Sequence, residues 1–205
     1  MAIGDSHIPY RAKNIPEKIL DKIDELTSDK LFDYIFFTGD IIKDPAFMKF
    51  LNSKFKKNIF IVIGNMDYYY GNKDAPVYQE LRILLKNNDK LRIGLTHGAQ
   101  IKPRGDRSQL ERLTIERNYN ILITGHTHKE EVFLTNNGIL LINPGSVTGA
   151  WSFVASGIPS FIVVNLIELT KEIRVALFQL NSKTSRIEES NSYFIFKNNQ
   201  IQYKF

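Results

Sequence analysis

Residues 34–40, Tyr-Ile-Phe-Phe-Thr-Gly-Asp, run four large apolar side chains straight into Thr38-Gly39-Asp40. A short apolar run with no polar alternation reads as a strand buried on both faces, which is the pattern of a parallel sheet. Residues 59–67, Ile-Phe-Ile-Val-Ile-Gly-Asn-Met-Asp, repeat the arrangement and end at Gly64-Asn65-Met66-Asp67. Between the two, residues 45–55 set Phe47, Phe50, Leu51 and Phe55 at helical spacing. Upstream, residues 16–27 open on Pro16 at a helix start and place Ile19, Leu20, Ile23 and Leu26 on one face. Met1-Ala2-Ile3 is a very short apolar start that leads into Gly4-Asp5. Three βα units in a row predict an α/β fold with a largely parallel layer.

Downstream the pattern changes. Leu81–Leu85 and Leu91–Thr96 read as strands around Asn87-Asn88-Asp89, and the second ends at His97-Gly98. A helix is predicted around residues 106–118, then a strand over Ile121–Ile123 that ends at Gly125-His126-Thr127-His128. From Val132 onward the chain reads as nearly all strand, with hairpin turns at Asn136-Asn137-Gly138 and Asn198-Asn199. No repeat, low-complexity tract or linker interrupts it. The expectation is one domain over residues 1–205, with an added C-terminal hairpin at about 193–205.

Composition narrows the function. With 43% hydrophobic and 24% charged residues, the chain lies outside the disordered class. The absence of cysteine excludes disulfides, Cys-ligated zinc, iron–sulfur clusters and thiol catalysis, and suits a reducing compartment, so a cytoplasmic location is expected. No apolar run approaches the ~18 residues of a membrane span, and nothing at the amino terminus reads as a signal peptide. The net charge of +5 permits anionic partners, but Lys54-Phe55-Lys56-Lys57 is the densest basic cluster and the rest is scattered. No dedicated nucleic-acid surface is expected.

The chemistry sits where strands stop. Five strands end in glycine-containing loops that carry Asp, Asn or His: Gly4-Asp5-Ser6-His7, Gly39-Asp40, Gly64-Asn65-Met66-Asp67, His97-Gly98 and Gly125-His126-Thr127-His128. In open α/β sheets the carboxyl ends of strands line one crevice, so loops distant in sequence converge there. All four histidines of the chain belong to this set. Carboxylate oxygen, amide oxygen and imidazole nitrogen together suit Mn²⁺, Zn²⁺ or Fe²⁺. Asp5, His7, Asp40, Asn65, His97, His126 and His128 are too many for one tetrahedral ion, and suit two divalent ions about 3.5–4 Å apart sharing a carboxylate.

Asp-x-His, Gly-Asp, Gly-Asn-x-Asp, His-Gly and Gly-His-Thr-His, in this order, resemble the calcineurin-like metallophosphoesterase superfamily from residue 4 to about 149. Within it, Gly4–Pro9, Asn143–Ala150 and Ile158–Phe161 look like the vacuolar protein sorting 29 branch, whose eukaryotic member is a retromer subunit. The resemblance implies a four-layer α/β/β/α sandwich of two mixed sheets. It implies one ion held by Asp5, His7, Asp40 and His128, with Asp40 bridging to a second held by Asn65, His97 and His126. Phosphodiester or phosphomonoester hydrolysis by a metal-bridging hydroxide would follow, with Asp40, Asn65, Asp67 and His97 in catalytic positions. The alternative it carries is a retromer-like trafficking scaffold with structural metals, docked on a helical-solenoid partner and peripheral on membranes through it.

Two departures shape the expectations. Many superfamily members have a proton-donating histidine where this chain has Met66, so poor leaving groups should lose roughly 10²–10⁴ in rate. Asp67 is then expected to accept a hydrogen bond from a ligand histidine. After His97-Gly98 the chain reads Ala99-Gln100-Ile101-Lys102-Pro103-Arg104, more basic than the apolar docking segment of the eukaryotic subunit. Contact surfaces for a partner are expected near Ile101 and around Trp151–Phe161. Tyr68-Tyr69-Tyr70 reads as packing, and Asn143-Pro144-Gly145-Ser146 as a tight turn behind the His126/His128 loop.

Overall fold

The computed structural model describes residues 1–204. The first half contains β1 (Ala2–Ile3), α1 (Glu17–Leu26), β2 (Phe32–Phe37), α2 (Pro45–Asn52), β3 (Phe55–Ile61) and α3 (Asn65–Tyr69). Then come β4 (Tyr78–Leu84), β5 (Lys90–Thr96), α4 (Arg107–Glu116), β6 (Ile121–Ile123), β7 (Glu130–Leu134) and β8 (Leu140–Pro144). The chain finishes with β9 (Ser160–Ile167), β10 (Glu172–Asn181), β11 (Arg186–Lys197) and β12 (Gln200–Tyr203).

The strands form two mixed sheets, β12-β11-β10-β9-β1-β2-β3 and β4-β5-β6-β8-β7. The predicted parallel layer is β1-β2-β3, in register Ala2 with Phe36 and Ile35 with Ile59. Period-two alternation sorts the side chains into layers. Ala2, Phe36, Ile162, Val175, Ile121, Ile123, Leu140 and Ile142 fill the space between the sheets. Ile3, Ile35, Phe37, Phe161 and Phe178 face outward and meet Ile19, Ile23, Phe47 and Leu51 of α1 and α2. Leu122, Ile139 and Leu141 meet Leu110 of α4 on the other side. Helix, sheet, sheet, helix is therefore the order of layers.

Some boundaries differ from expectation for local reasons. The helix predicted to reach Phe55 stops at Asn52, because Phe55 pairs with Phe32 and begins β3. Its start is fixed by Pro45 and by Asp44, whose carboxylate accepts from the Phe47 amide at 3.0 Å. Helix α4 ends two residues early, and Asn118 turns out of it with φ of +57°. The stretch read as a C-terminal hairpin is β12 with the tip of β11; β11 itself begins at Arg186 and is laddered to β10 along its length. Phe205 lies outside the described residues. Among the described residues no helix is long and apolar enough to cross a membrane.

Candidate metal centre

The ends of β1, β2, β3, β5 and β6 bring their loops to one edge of the sandwich. The amide of Asp5 donates to the Gly39 carbonyl at 2.9 Å, that of His7 to the Asp40 carbonyl at 3.0 Å, and that of Gly125 to the His97 carbonyl at 3.0 Å. The backbone there is strained. Asp5, His7, Asp40, His126 and His128 all have φ between +51° and +69°. That left-handed region costs a non-glycine residue of order 1–3 kcal/mol and tends to mark functional sites.

All seven predicted ligand residues come together. The Nε2 atoms of His7 and His128 are 3.0 Å apart, with Asp5 Oδ1 3.3 Å from His128 Nε2 and Asp40 Oδ2 3.3 Å from His7 Nε2. One ligand atom from each of these four residues lies within 4.8 Å of the others. On the other side of Asp40, the same Oδ2 is 3.5 Å from His97 Nε2, which in turn is 3.1 Å from Asn65 Oδ1 and 3.2 Å from His126 Nδ1. Asp40 Oδ2 is thus shared by two half-sites. Its Oδ1 accepts from the amides of Met66 at 2.8 Å and Asp67 at 3.3 Å, which fixes the carboxylate plane.

Carbonyl contacts settle two tautomers. His97 Nδ1 meets Thr38 O at 2.7 Å and His128 Nδ1 meets Ala150 O at 2.8 Å. A carbonyl only accepts, so each Nδ1 carries hydrogen, which leaves Nε2 as the nitrogen turned to the cluster and the one able to ligate once it has no proton. Lone pairs and carboxylate oxygens this close repel one another unless a proton or a cation lies among them, so the donor set fits divalent metal.

The groups act strongly on one another: burial pulls His128 down, but Asp5, by charge and by hydrogen bond, and the Ala150 carbonyl outweigh it and raise it above its usual range. Burial pushes the Asp5 carboxyl up, but His128 with His7 and His97 outweighs it and holds Asp5 well below its usual range. Burial raises Asp40, with Asp5 and Asp67 adding to the rise against the pull of His97 and His7. Burial, then the neighbouring His97, lowers His126 to about 3, so it stays neutral and able to ligate. Because the cluster concentrates acceptors, saturating Zn²⁺ or Mn²⁺ should raise Tm. Ligand at 100-fold its Kd adds about 2.7 kcal/mol, worth roughly 5–11 °C for a chain of this size. Calorimetry with and without chelator checks it.

Asp67 does something other than expected. Its carboxylate accepts from the amides of Asp40 at 2.7 Å, Ile42 at 2.8 Å and Gly64 at 3.0 Å, not from a ligand histidine. It therefore pins the strained Asp40–Ile42 turn, including β-branched Ile42 at φ of +66°. Gly64 is equally constrained: a Cβ there would lie 1.9 Å from Asp40 Oδ1 and 2.4 Å from the Asp40 amide. Gly64→Ala should cost about 1–3 kcal/mol, a fall in Tm of roughly 2–12 °C, and weaken metal binding with it. Thermal melts with metal titration test both.

The Asn143 turn supports the histidine loop as expected: Asn143 Nδ2 donates to Gly125 O at 2.8 Å and to Thr127 Oγ1 at 3.0 Å. Ser146 Oγ ties the same turn to Asp5 O at 2.7 Å. Other expectations need correction. Ile101 is only 5% exposed, packed with Leu110, Tyr119 and Leu122, because the segment turns inward beneath α4. Tyr68 and Tyr69 are exposed, while Tyr70 stacks on Tyr10 with ring centroids 4.2 Å apart and takes Tyr69 edge-on at 5.2 Å. Sequence reading missed Thr38 and Ala150, which act through backbone carbonyls that any residue could supply.

The calcineurin-like phosphoesterase superfamily domain matches residues 1–167, and the chain belongs to that family. A protein described as a probable metallophosphoesterase in Methanothermobacter thermautotrophicus is 35% identical over 146 residues, covering 71% of this chain and 75% of its own. Vacuolar protein sorting 29 from Cryptosporidium parvum superposes with a TM-score of 0.79 at 30% identity, over 95% of this chain and 96% of that one. Wild-type Vps29 of Entamoeba histolytica, solved in complex with Zn²⁺, gives 0.75 at 28% identity, over 93% and 97%.

Proposed function

We propose that this protein is a two-metal phosphoesterase acting on phosphodiesters or phosphomonoesters. The observation that carries the reading is Asp40 Oδ2, within 3.5 Å of histidine nitrogens from both half-sites. Asp5, His7, Asp40 and His128 would hold one divalent ion, and Asp40, Asn65, His97 and His126 the other. Two such ions, when bound, supply positive charge to the phosphoryl oxygens and make water acidic enough to attack near neutral pH. The protein's part is positional. Thr38 O and Ala150 O hold the imidazoles in the ligating tautomer, and Asp67 holds the Asp40 turn. Asn65 is exposed, which leaves the second half-site open for an ester to enter. Elemental analysis should find two ions per chain, and Mn²⁺ or Zn²⁺ should switch on hydrolysis of bis(p-nitrophenyl) phosphate. A metal-loaded protein inert to that ester would overturn the reading.

The second reading, a cytoplasmic trafficking scaffold that reaches membranes through a helical-solenoid partner, draws support from the Vps29 likeness across nearly the whole chain. Its contact surface would be the exposed Trp151, Phe153 and Val154. Ile101 is in the core, so Ile101→Asp is a folding mutation and tests nothing about a partner.

A further inference from the structure

The loop of residues 150–156 is laid along the His126-Thr127-His128 loop. Ala150 O takes the His128 Nδ1 hydrogen, Ser152 Oγ donates to Thr127 O at 2.7 Å, and the Ser156 amide donates to His128 O at 3.3 Å. This fixes two aromatic rings beside the metal edge. Trp151 is 61% exposed and Phe153 80% exposed, and they meet edge to face with centroids 5.0 Å apart. Each end of the pair carries a guanidinium. Arg11 Nη1 donates to Trp151 O at 3.0 Å. Arg104 lies over the Phe153 ring at 5.8 Å and donates to His126 O at 3.4 Å. Arg11, Trp151, Phe153 and Arg104 thus make a continuous arc along the outer side of the two-histidine loop, although 140 residues separate its first contact pair.

Rings this exposed leave apolar faces in water, and the loop that holds them is tied to the histidine loop at Thr127 and His128 and to Ser146 through the buried Ala150. A guanidinium has five N–H donors, and the carbonyl each one holds leaves others facing solvent beside a phosphoryl site. Cationic groups flanking an open aromatic pair match a ligand that joins an anion to a flat ring. We propose that this arc is the substrate subsite of the metal centre and that its ligand is a nucleotide ester, with the phosphoryl group at the metal ligands on the Arg104 side and the base on Trp151 and Phe153. The assignment rests on the phosphoesterase reading and narrows it to a substrate class.

Trp151 is the only tryptophan, so fluorescence excited at the red edge, where the nine tyrosines do not absorb, reports this patch alone. With Zn²⁺-loaded protein, thymidine 5′-monophosphate should quench it saturably while equal inorganic phosphate does not. Phe153→Ala and Arg104→Gln should each weaken that nucleotide affinity by about tenfold, the usual size of one stacking or phosphate contact. In steady-state kinetics, thymidine 5′-(p-nitrophenyl) phosphate and methyl p-nitrophenyl phosphate share a leaving group and differ in the base. The wild type should favour the nucleoside ester in kcat/KM by about tenfold, and Phe153→Ala should bring the ratio close to one. Phe153 is a surface residue, so its removal leaves folding intact. Absence of quenching, equal quenching by phosphate, or a ratio unchanged in Phe153→Ala would overturn the subsite and leave the patch to a protein partner. Saturable nucleotide quenching with no hydrolysis of either ester would uphold the subsite and sink the phosphoesterase reading. Hydrolysis of both esters at equal rates without quenching would do the reverse.

Discussion

Asp40→Ala should take divalent-ion binding from two per chain to none. Both half-sites lean on one oxygen: His7 Nε2 at 3.3 Å and His97 Nε2 at 3.5 Å face the same Oδ2. Removing it leaves each half-site a carboxylate short and lifts the charge that holds both ions near one another. The substitution also orphans the Met66 amide, which Asp40 Oδ1 accepts at 2.8 Å. Asp40→Asn is therefore the companion variant, since its amide oxygen can keep that bond while lowering the charge. Asp40→Asn should stay folded and lose binding of at least one ion, and hydrolysis should fall by several orders of magnitude in both variants. Calorimetric titration with elemental analysis reads the stoichiometry, and an unchanged value of two in Asp40→Ala would sink the shared-carboxylate arrangement. Glu80→Gln is a suitable control, because Glu80 lies on β4 and pairs with Arg82 and Arg92 instead of a metal ligand.

Turnover should depend steeply on the leaving group. Met66 follows the candidate ligand Asn65 at the start of α3, and a thioether has no proton to give. A nitrophenolate leaves as a stabilised anion and needs no donor, so activated esters should be hydrolysed. An alkoxide or a nucleoside hydroxyl needs protonation, so those esters should lag by roughly 10²–10⁴. Met66→His should recover up to about 10²-fold on the poor leaving group while the activated ester gains little. Rates across a series of phenyl esters of graded acidity measure the dependence as a slope. A flat slope in the wild type would show that another group donates the proton and that Met66 is not at the point of need.

Much of this was legible in the sequence because of where polarity interrupts apolar runs. Ile35–Phe37 are buried and Ile59–Ile61 half-buried on the edge strand of a parallel layer, and the residues that follow the two strands are candidate ligands. Each of the seven candidate ligands was readable as a polar residue at a strand end. What escaped was anything carried by partners distant in the chain. Asp67 has the composition of a histidine orienter, yet its position at the third residue of α3 aims it at three backbone amides. Ile101 looks like a surface anchor between basic residues, and only the fold turns it under α4. The Arg11–Trp151 contact joins residues 140 apart in the chain and leaves no periodic trace. Nor does anything in the residue type announce that Asp5, His7 and His126 adopt left-handed backbone.

That backbone has a consequence for how the sequence can change. Glycine adopts positive φ without penalty and asparagine more easily than other residues. At positions 5, 7, 40, 126 and 128 the ligand side chains stand where a smaller residue would relax the chain. Replacement of His7 or His128 by glycine would relieve backbone strain but empty the space of a buried imidazole, and at His128 it would also take away the partner of Asp5 and of the Ala150 carbonyl. The backbone contribution alone favours glycine or asparagine over histidine and aspartate there. In a lineage that ceased to use the ions, that contribution would no longer be opposed by metal binding, and its marks would be Gly or Asn at the turn positions while the two sheets stayed intact.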